Sequence, residues 1–274
     1  MIVLLTMPLG HAAVIFLQHV SGKDQVVSAG LLLVICGTAL VLSGLYISRD
    51  LIATFFGLFG GLFVWAGWVE IGFEYHARQS GIEPLMQNAE VVNKPEYLLM
   101  PSSVGFFAVI MLYYLFGIRT GCRFFLWFQR LVRIEKSMES VRIPRNTAMV
   151  TFMEFIVLLW GFYLLLLFAY DVQFAGDRHP FTYFIAFGSL LWSVLLFANL
   201  LKIARLDYAV RYAIPTVVIF WNFIEILGRW NVFTEIWIEP SDYRVEIALM
   251  GLVLVILTLS VLPGEKGMQQ TDQQ

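Results

Sequence analysis

Apolar stretches of about twenty residues, separated by short polar segments, follow one another along the whole chain. A helix of about twenty apolar residues is long enough to cross the hydrocarbon core of a bilayer. The pattern predicts eight transmembrane helices and therefore an all-α, polytopic integral membrane protein. The predicted spans cover residues 2–20, 26–47, 51–75, 98–117, 148–170, 181–202, 208–230 and 244–262.

Composition agrees with this pattern and excludes a soluble domain. Of the 274 residues, 59% belong to the set AVILMFWYC and 14% are Asp, Glu, Lys or Arg, whereas soluble domains contain about 45–50% apolar and about 25% charged residues. The first apolar run follows Met1 without a basic segment, so we expect a retained span and not a cleaved signal peptide. The expected surroundings are membrane lipid, with no nucleic-acid partner.

Lysine and arginine are distributed unevenly between the two sides of the predicted membrane. Twelve lie on the side that holds both chain termini and the turns near residues 48 and 203, which we call the basic face. Six lie on the opposite side, which we call the acidic face because 13 of the 20 Asp and Glu residues lie on or near it. Since cytoplasmic loops carry the excess of Lys and Arg, both termini are predicted to be cytoplasmic, as in a bacterial inner-membrane protein.

Residues 118–147 form the longest polar interruption of the chain. Within this segment, the stretch from Cys122 to Lys136 interleaves bulky apolar and basic residues, which predicts an amphipathic helix at the membrane surface. The helix would contact lipid head groups or, alternatively, dock a cytoplasmic partner. The polar tail, residues 265–274, is predicted to be disordered.

Short patterns from the first half of the chain recur in the second half at a nearly constant distance of 156 or 155 residues for four of the five matches. The five matches occur in the same order and at the same points of the topology. They predict a duplication, with residues 1–117 and 148–264 as two repeats of four spans joined by the 118–147 linker. The matches are Ile47–Arg49 with Ile203–Arg205, Trp65 with Trp221, Glu70 with Glu225, Glu83–Pro84 with Glu239–Pro240, and Glu96–Met100 with Glu246–Met250.

Four spans are an even number, so both repeats would insert into the membrane with the same orientation. Such parallel repeats are related by an axis along the membrane normal, and binding sites lie near the bilayer centre where the repeats meet. The third and seventh spans, which the duplication aligns, are therefore the predicted location of the functional site.

Ionisable residues inside these two spans are the strongest candidates, because a charged side chain in a bilayer is costly unless it is paired or hydrated. Glu70 and Glu74 are four residues apart, as are Glu225 and Arg229, so each pair lies on one face of its helix. The duplication aligns Glu70 with Glu225 and Glu74 with Arg229. We predict that Glu74 and Arg229 form an ion pair across the repeat interface.

Three interpretations of Glu70, Glu74, Glu225 and Arg229 remain open. The first is a charge-compensated pair that holds the halves together. In the second, the glutamates line a binding site for a cation, a proton or a polar head group. In the third, the side chains reach the membrane surface separately. The flanking tryptophans, Trp65 and Trp221, either anchor the helices at the interface or form a stacking wall for a ligand.

Two further groups of ionisable residues stand out. Glu154 lies inside the fifth span without a partner nearby in the sequence, so it is protonated, bonded to another helix or facing a water cavity. His19, His76 and His179 lie at the acidic edge of three spans, where they could hold a metal ion, or where His19 and His76 could ligate a haem. No other cofactor is predicted.

Three classes of function fit these features. The preferred class is a transporter, or an ion- or proton-translocating subunit, that uses the intramembrane carboxylates. The second is a non-catalytic, quinone- or haem-associated membrane subunit of a larger electron-transfer or assembly complex, with partner subunits or further copies beside it. The third is a membrane enzyme acting on a lipid or isoprenoid with Glu70 or Glu225 as general acid.

Overall fold

The computed structural model describes residues 1–87, 90–93, 95–117, 123–131 and 146–261. Eight helices in these ranges are long and apolar enough to cross a membrane, which confirms the predicted number. Each predicted boundary lies within about four residues of the observed one. Spans 1 to 8 are, in order, Ile2–Gly22, Gln25–Gly44, Asp50–Gln79, Pro95–Tyr114, Thr147–Tyr170, Pro180–Leu200, Leu206–Arg229 and Arg244–Val261.

Spans 1 and 2 belong to one helical stretch, Ile2–Gly44, which is broken at Gly22. Gly22 has φ 65° and ψ 177°, a conformation that residues with a Cβ atom rarely adopt. Both spans pack against span 3 near the acidic face. Val14 of span 1 and Val26 of span 2 share a buried apolar cluster with Ile71.

Span 3 consists of three consecutive helical pieces. An α-helix, Asp50–Val64, continues as a π-helix, Trp65–Glu70, and then as a second α-helix, Ile71–Gln79. A π-helical turn contains more residues than an α-helical turn, and such turns are frequent at functional sites. The π-helix therefore rotates the side chains on the acidic side of span 3 relative to those on its basic side.

The chain between spans 3 and 5 contains the smaller elements. Two strands, β1 (Leu85–Gln87) and β2 (Glu90–Asn93), pair antiparallel and are an exception to the all-α prediction. Span 4 is a short helix, Pro95–Leu99, a 3₁₀ turn, Met100–Ser103, and a helix, Val104–Gly117.

The predicted amphipathic segment is helical over Arg123–Leu131, and Phe124 and Phe125 of this helix are buried. Its two buried phenylalanines pack onto the protein, whereas Trp127 and Leu131 of the same helix are exposed. The remainder of the 118–147 linker and the whole 265–274 tail lie outside the described residues, apart from Asn146 and Thr147 at the start of span 5.

Spans 3, 5 and 7 form the centre of the bundle, since at least half of the most apolar 18-residue stretch of each span is buried. Span 8, by contrast, buries none of its residues, so its apolar side chains face outwards, as is typical of lipid-facing helices. Span 3 packs against span 5, and span 1 contacts span 7. The four odd-numbered spans thus surround the bundle axis.

Spans 3 and 5 approach each other closely because span 3 carries glycines at the contact. A Cβ atom on Gly57 would collide with the carbonyl oxygen of Ala148, and one on Gly61 would meet the ring of Phe155. Small residues at helix contacts allow this close approach in membranes. These glycines therefore bring spans 3 and 5 close together in the half of the bundle near the basic face.

Gly57→Ala should therefore lower stability, although alanine is normally the better helix former. Overpacking of a tight contact costs about 1–3 kcal/mol, which exceeds the gain of roughly 0.5–1 kcal/mol from replacing a helical glycine. Thermal unfolding in detergent measures the difference. Gly188→Ala in span 6 is the matched control, because nothing lies within 4 Å of a Cβ atom there. Equal melting temperatures for the two variants would contradict the tight contact.

Candidate functional site

A small cavity of about 50 Å³ lies between the four odd-numbered spans. Its volume is enough for water molecules or a small ion. Each of the four spans contributes side chains to the wall, and several of these are polar or aromatic. They include His11 of span 1, Trp65 and Glu70 of span 3, Tyr163 of span 5, and Trp221, Asn222 and Glu225 of span 7.

Two indole–carboxylate hydrogen bonds face this cavity. Trp65 Nε1 donates to Glu70 Oε1 at 3.0 Å, and Trp221 Nε1 donates to Glu225 Oε1 at 2.7 Å. The partners are five residues apart in span 3 but four apart in span 7. The π-helix Trp65–Glu70 accommodates the extra residue. It accounts for the one-residue slip between the two sequence patterns and keeps Glu70 directed at the cavity.

His11 is the site residue that the sequence analysis left out of the candidates. Its Nε2 atom lies 3.3 Å from Glu225 Oε1, and its ring stacks on Trp221 with a centroid distance of 6.2 Å. Its position inside span 1 could have identified it from the sequence, because an ionisable residue at membrane depth is a functional candidate by default. The cavity therefore combines two carboxylates with an imidazole.

Asn222 brings a buried amide donor to the cavity wall. Its side chain is 3% exposed and lines the cavity. Within the described ranges of the chain, its Nδ2 atom has no hydrogen-bond partner. A buried donor without a partner lowers the stability of the fold by about 1–3 kcal/mol. An acceptor in the cavity, such as the oxygen of a water molecule, would remove this penalty.

The loop between spans 7 and 8 packs against span 7 next to the cavity. Trp237 packs on Trp221 with a ring-centroid distance of 5.0 Å. The side chain of Glu235 lies over Gly228, where a Cβ atom would collide with it, and it interacts electrostatically with His11. The loop thus adds a third carboxylate close to the cavity.

The predicted ion pair between Glu74 and Arg229 is wrong. Glu74 accepts hydrogen bonds from Arg78 and Gln18. Arg229 donates to Asp177 Oδ1 at 2.7 Å, and its guanidinium group lies 4.4 Å from the ring centroid of Tyr170. Glu74 and Arg229 thus contact different residues. Equal depth in two aligned spans does not bring side chains together unless both face the axis.

A double-mutant cycle on Arg229→Gln and Asp177→Asn should give a coupling energy of about 0.5–2 kcal/mol, since this pair is partly buried. The cycle on Arg229→Gln and Glu74→Gln should give a coupling near zero. Thermal or denaturant unfolding in detergent provides the energies. A larger coupling between Glu74 and Arg229 than between Asp177 and Arg229 would contradict the observed partners.

Glu154 has the long-range partner that the sequence could not identify. Its Oε1 atom accepts a hydrogen bond from Arg211 of span 7 at 2.8 Å, and both side chains are buried. Of the interpretations left open for Glu154, bonding to another helix is the one observed. Arg211 is one of the twelve Lys and Arg residues that the sequence places on the side of the basic face.

The three histidines considered for a metal site are exposed and have separate surroundings. His179 Nδ1 accepts a hydrogen bond from the backbone N–H of Phe181 at the start of span 6, and His76 contacts the ring of Tyr75. In the ranges that the structure covers, no three His, Cys, Asp or Glu side chains form a group able to hold a metal ion. His19, His76 and His179 are not brought together.

The fold and the site together define a multi-pass, α-helical membrane protein with ionisable residues at the centre of its bundle. Comparisons of the chain with protein-family models, with curated proteins and with solved structures found no match. The geometry of the cavity and its surroundings is therefore the basis for a function.

Proposed function

We propose that the protein binds a proton in the cavity between spans 1, 3, 5 and 7 and conducts protons across the membrane. The observation that carries this proposal is the convergence of Glu70, Glu225 and His11 on one small cavity. We further propose that the basic face lies in the cytoplasm, as the distribution of Lys and Arg predicts.

A proton is the ligand that this set of side chains suits best. Two carboxylates in a poorly hydrated site repel each other when both are charged, and a shared proton relieves the repulsion. His11 next to Glu225 offers a nitrogen that can exchange a proton with the carboxylate. Asn222 can orient a water molecule between them, since its amide donor is free within the described part of the chain.

The size of the cavity favours a proton over an organic substrate. Its volume of about 50 Å³ is far below the roughly 300–1,000 Å³ of pockets that hold small organic molecules. Water molecules fit, and hydrogen-bonded water carries protons between side chains. Glu235 above the cavity extends the acidic groups towards the acidic face.

We also propose that residues 1–117 and 148–264 are parallel repeats, so that the cavity lies on their pseudo-twofold axis. Support comes from residues that line the cavity in matched pairs. An offset of 156 relates Leu62 to Val218, Trp65 to Trp221 and Ala66 to Asn222, and an offset of 152 relates Met7 to Leu159 and His11 to Tyr163. Paired linings are typical of sites between parallel repeats.

A quinone- or lipid-binding subunit is the second candidate, and one observation favours it. A groove of about 460 Å³ lies on the outer side of the π-helix, lined by apolar residues of spans 2, 3 and 4 with Ser102 and His76 at its polar end. This volume is in the range for an organic ligand. Organic extraction of the purified protein followed by mass spectrometry would reveal a stoichiometric quinone, and an absorbance spectrum would reveal haem.

Proteoliposomes test the proposed function. Vesicles loaded with a pH-sensitive dye and given a valinomycin-driven potassium potential should acidify faster with the wild-type protein than without protein. Replacing external sodium by choline should leave the rate unchanged if the proton is the ion that moves. A rate equal to that of empty vesicles would contradict the proposal.

A further inference from the structure

Glu154 and Arg211 form an ion pair that is buried in the bundle but does not line the cavity. Arg211 Nη2 donates to Glu154 Oε1 at 2.8 Å, and the two side chains are 5% and 1% exposed. Removing two charges from water is expensive even when they pair. A position inside the membrane makes the cost larger, and such residues mark ion or proton pathways.

The pair lies between the cavity and the basic face, on two of the helices that form the cavity wall. Glu154 precedes the cavity residue Leu159 by five positions, and Arg211 precedes Val218 by seven. At 1.5 Å per residue these separations are about 8 and 10 Å along the helix axes. Phe155 and Ile214, both fully buried, lie between the two levels.

Polar residues continue from this pair towards the basic face. Thr151, one turn before Glu154 in span 5, is fully buried. Thr147, a further turn away, donates from its hydroxyl to Asp50 Oδ1 of span 3 at 2.8 Å. Asp50 in turn lies 3.9 Å from Arg205, which is exposed at the start of span 7. The polar groups thus extend from the buried pair to the membrane surface.

Packing alone does not require an ion pair at this place. The offsets that relate the two halves map Glu154 to Ile2 and Arg211 to Phe55, both of which pack in the main apolar core. Buried ion pairs can often be replaced by apolar residues without loss of stability. The first half has apolar residues at both positions, whereas the second half has charged residues there.

We propose that Glu154 is a second proton-binding residue on the route from the cavity to the basic face. This inference rests on the proposed proton conduction. A proton leaves a carboxyl group of the cavity, passes through water that enters between Phe155 and Ile214, and converts the Glu154 carboxylate into a carboxyl group. Release of the proton towards Asp50 restores the carboxylate and its ion pair with Arg211, so no net charge is left behind.

The experiment compares proton flux and folding in the full-length chain. Glu154→Gln leaves Arg211 buried without its carboxylate, so the informative variant is the double replacement Glu154→Gln, Arg211→Met, which removes both charges. We expect this variant to melt within a few degrees of the wild type and to keep the infrared carboxyl signal of the cavity, while its protein-dependent proton flux falls about a hundredfold, the lower end of the range for loss of one proton-transfer group.

A double variant with native stability and wild-type flux would overturn the inference and make the pair purely structural. Phe55→Leu, at the corresponding position of the first half, serves as the control and should retain its flux. A wild-type protein without flux above empty vesicles is a different result, since it overturns the proposed function and this inference together before any variant is compared.

Discussion

The protein-dependent proton flux in proteoliposomes, after subtraction of the leak of empty vesicles, should fall about a hundredfold or more when Glu70 and Glu225 are both replaced by Gln. Removing a group that accepts and donates a proton typically costs a factor of about 10²–10⁴. Glutamine keeps the size of the side chain and can still accept the hydrogen bonds from Trp65 and Trp221. The variant should therefore fold and lose only the proton-binding oxygens.

Glu74→Gln is the matched control for this experiment. Glu74 is one turn from Glu70 in the same span, but its partners are Arg78 and Gln18 and it does not line the cavity. Its replacement should leave the flux within about twofold of the wild type, because Glu74 is paired with Arg78 outside the cavity and its exposed partner's charge is screened. A hundredfold loss in Glu74→Gln, or an undiminished flux in the double variant, would mean that the cavity is not on the proton route.

The largest loss of stability should follow from Arg211→Met alone. The replacement leaves the Glu154 carboxylate buried without its cation, and breaking a buried pair in this way costs about 3–5 kcal/mol. Adding Glu154→Gln removes the uncompensated charge and should recover most of that loss. Unfolding in detergent, followed by circular dichroism or tryptophan fluorescence, gives the four energies of the cycle.

Arg205→Met provides the comparison for that cycle. Arg205 binds Asp207 at 2.9 Å, but its side chain is 57% exposed. An exposed ion pair contributes about 0–1 kcal/mol, so this variant should unfold close to the wild-type temperature. Similar losses in Arg205→Met and Arg211→Met would show that burial does not distinguish the two arginines.

The sequence was sufficient to predict the eight spans, because span length and the near absence of charges follow directly from the thickness of the bilayer core. It also predicted Glu70, Glu225, Trp65 and Trp221 as site residues, since depth along a helix can be counted from the polar breaks. All four line the cavity.

Rotation about a helix axis could not be predicted from the same pattern. The residue types in Trp65–Glu70 do not distinguish a π-helix from an α-helix, and the one-residue slip between the two sequence patterns does not by itself show how the helix accommodates it. The extra residue changes which side chains of span 3 face the axis. Equal depth in the two aligned spans predicted an ion pair between Glu74 and Arg229. The structure directs Glu74 towards Gln18 and directs Arg229 towards Asp177.

Contacts between residues that are far apart in the sequence could not be predicted either. Glu154 and Arg211 are separated by 57 positions, and His11 and Glu225 by 214. Neither pairing has a local spacing rule, because both depend on how spans from different parts of the chain pack around the axis. The candidates could be named from the sequence, but their contacts required the fold.

Infrared difference spectroscopy in the carboxyl region, recorded as the pH is lowered, tests most directly whether Glu70 and Glu225 share a proton in one cavity. The account predicts a protonated-carboxyl band that Glu74→Gln leaves in place. Glu70→Gln and Glu225→Gln should each remove part of the band and shift the remainder, because the titrations of interacting carboxylates are coupled. A spectrum of the Glu70→Gln, Glu225→Gln double variant that is identical to the wild-type spectrum would contradict the account.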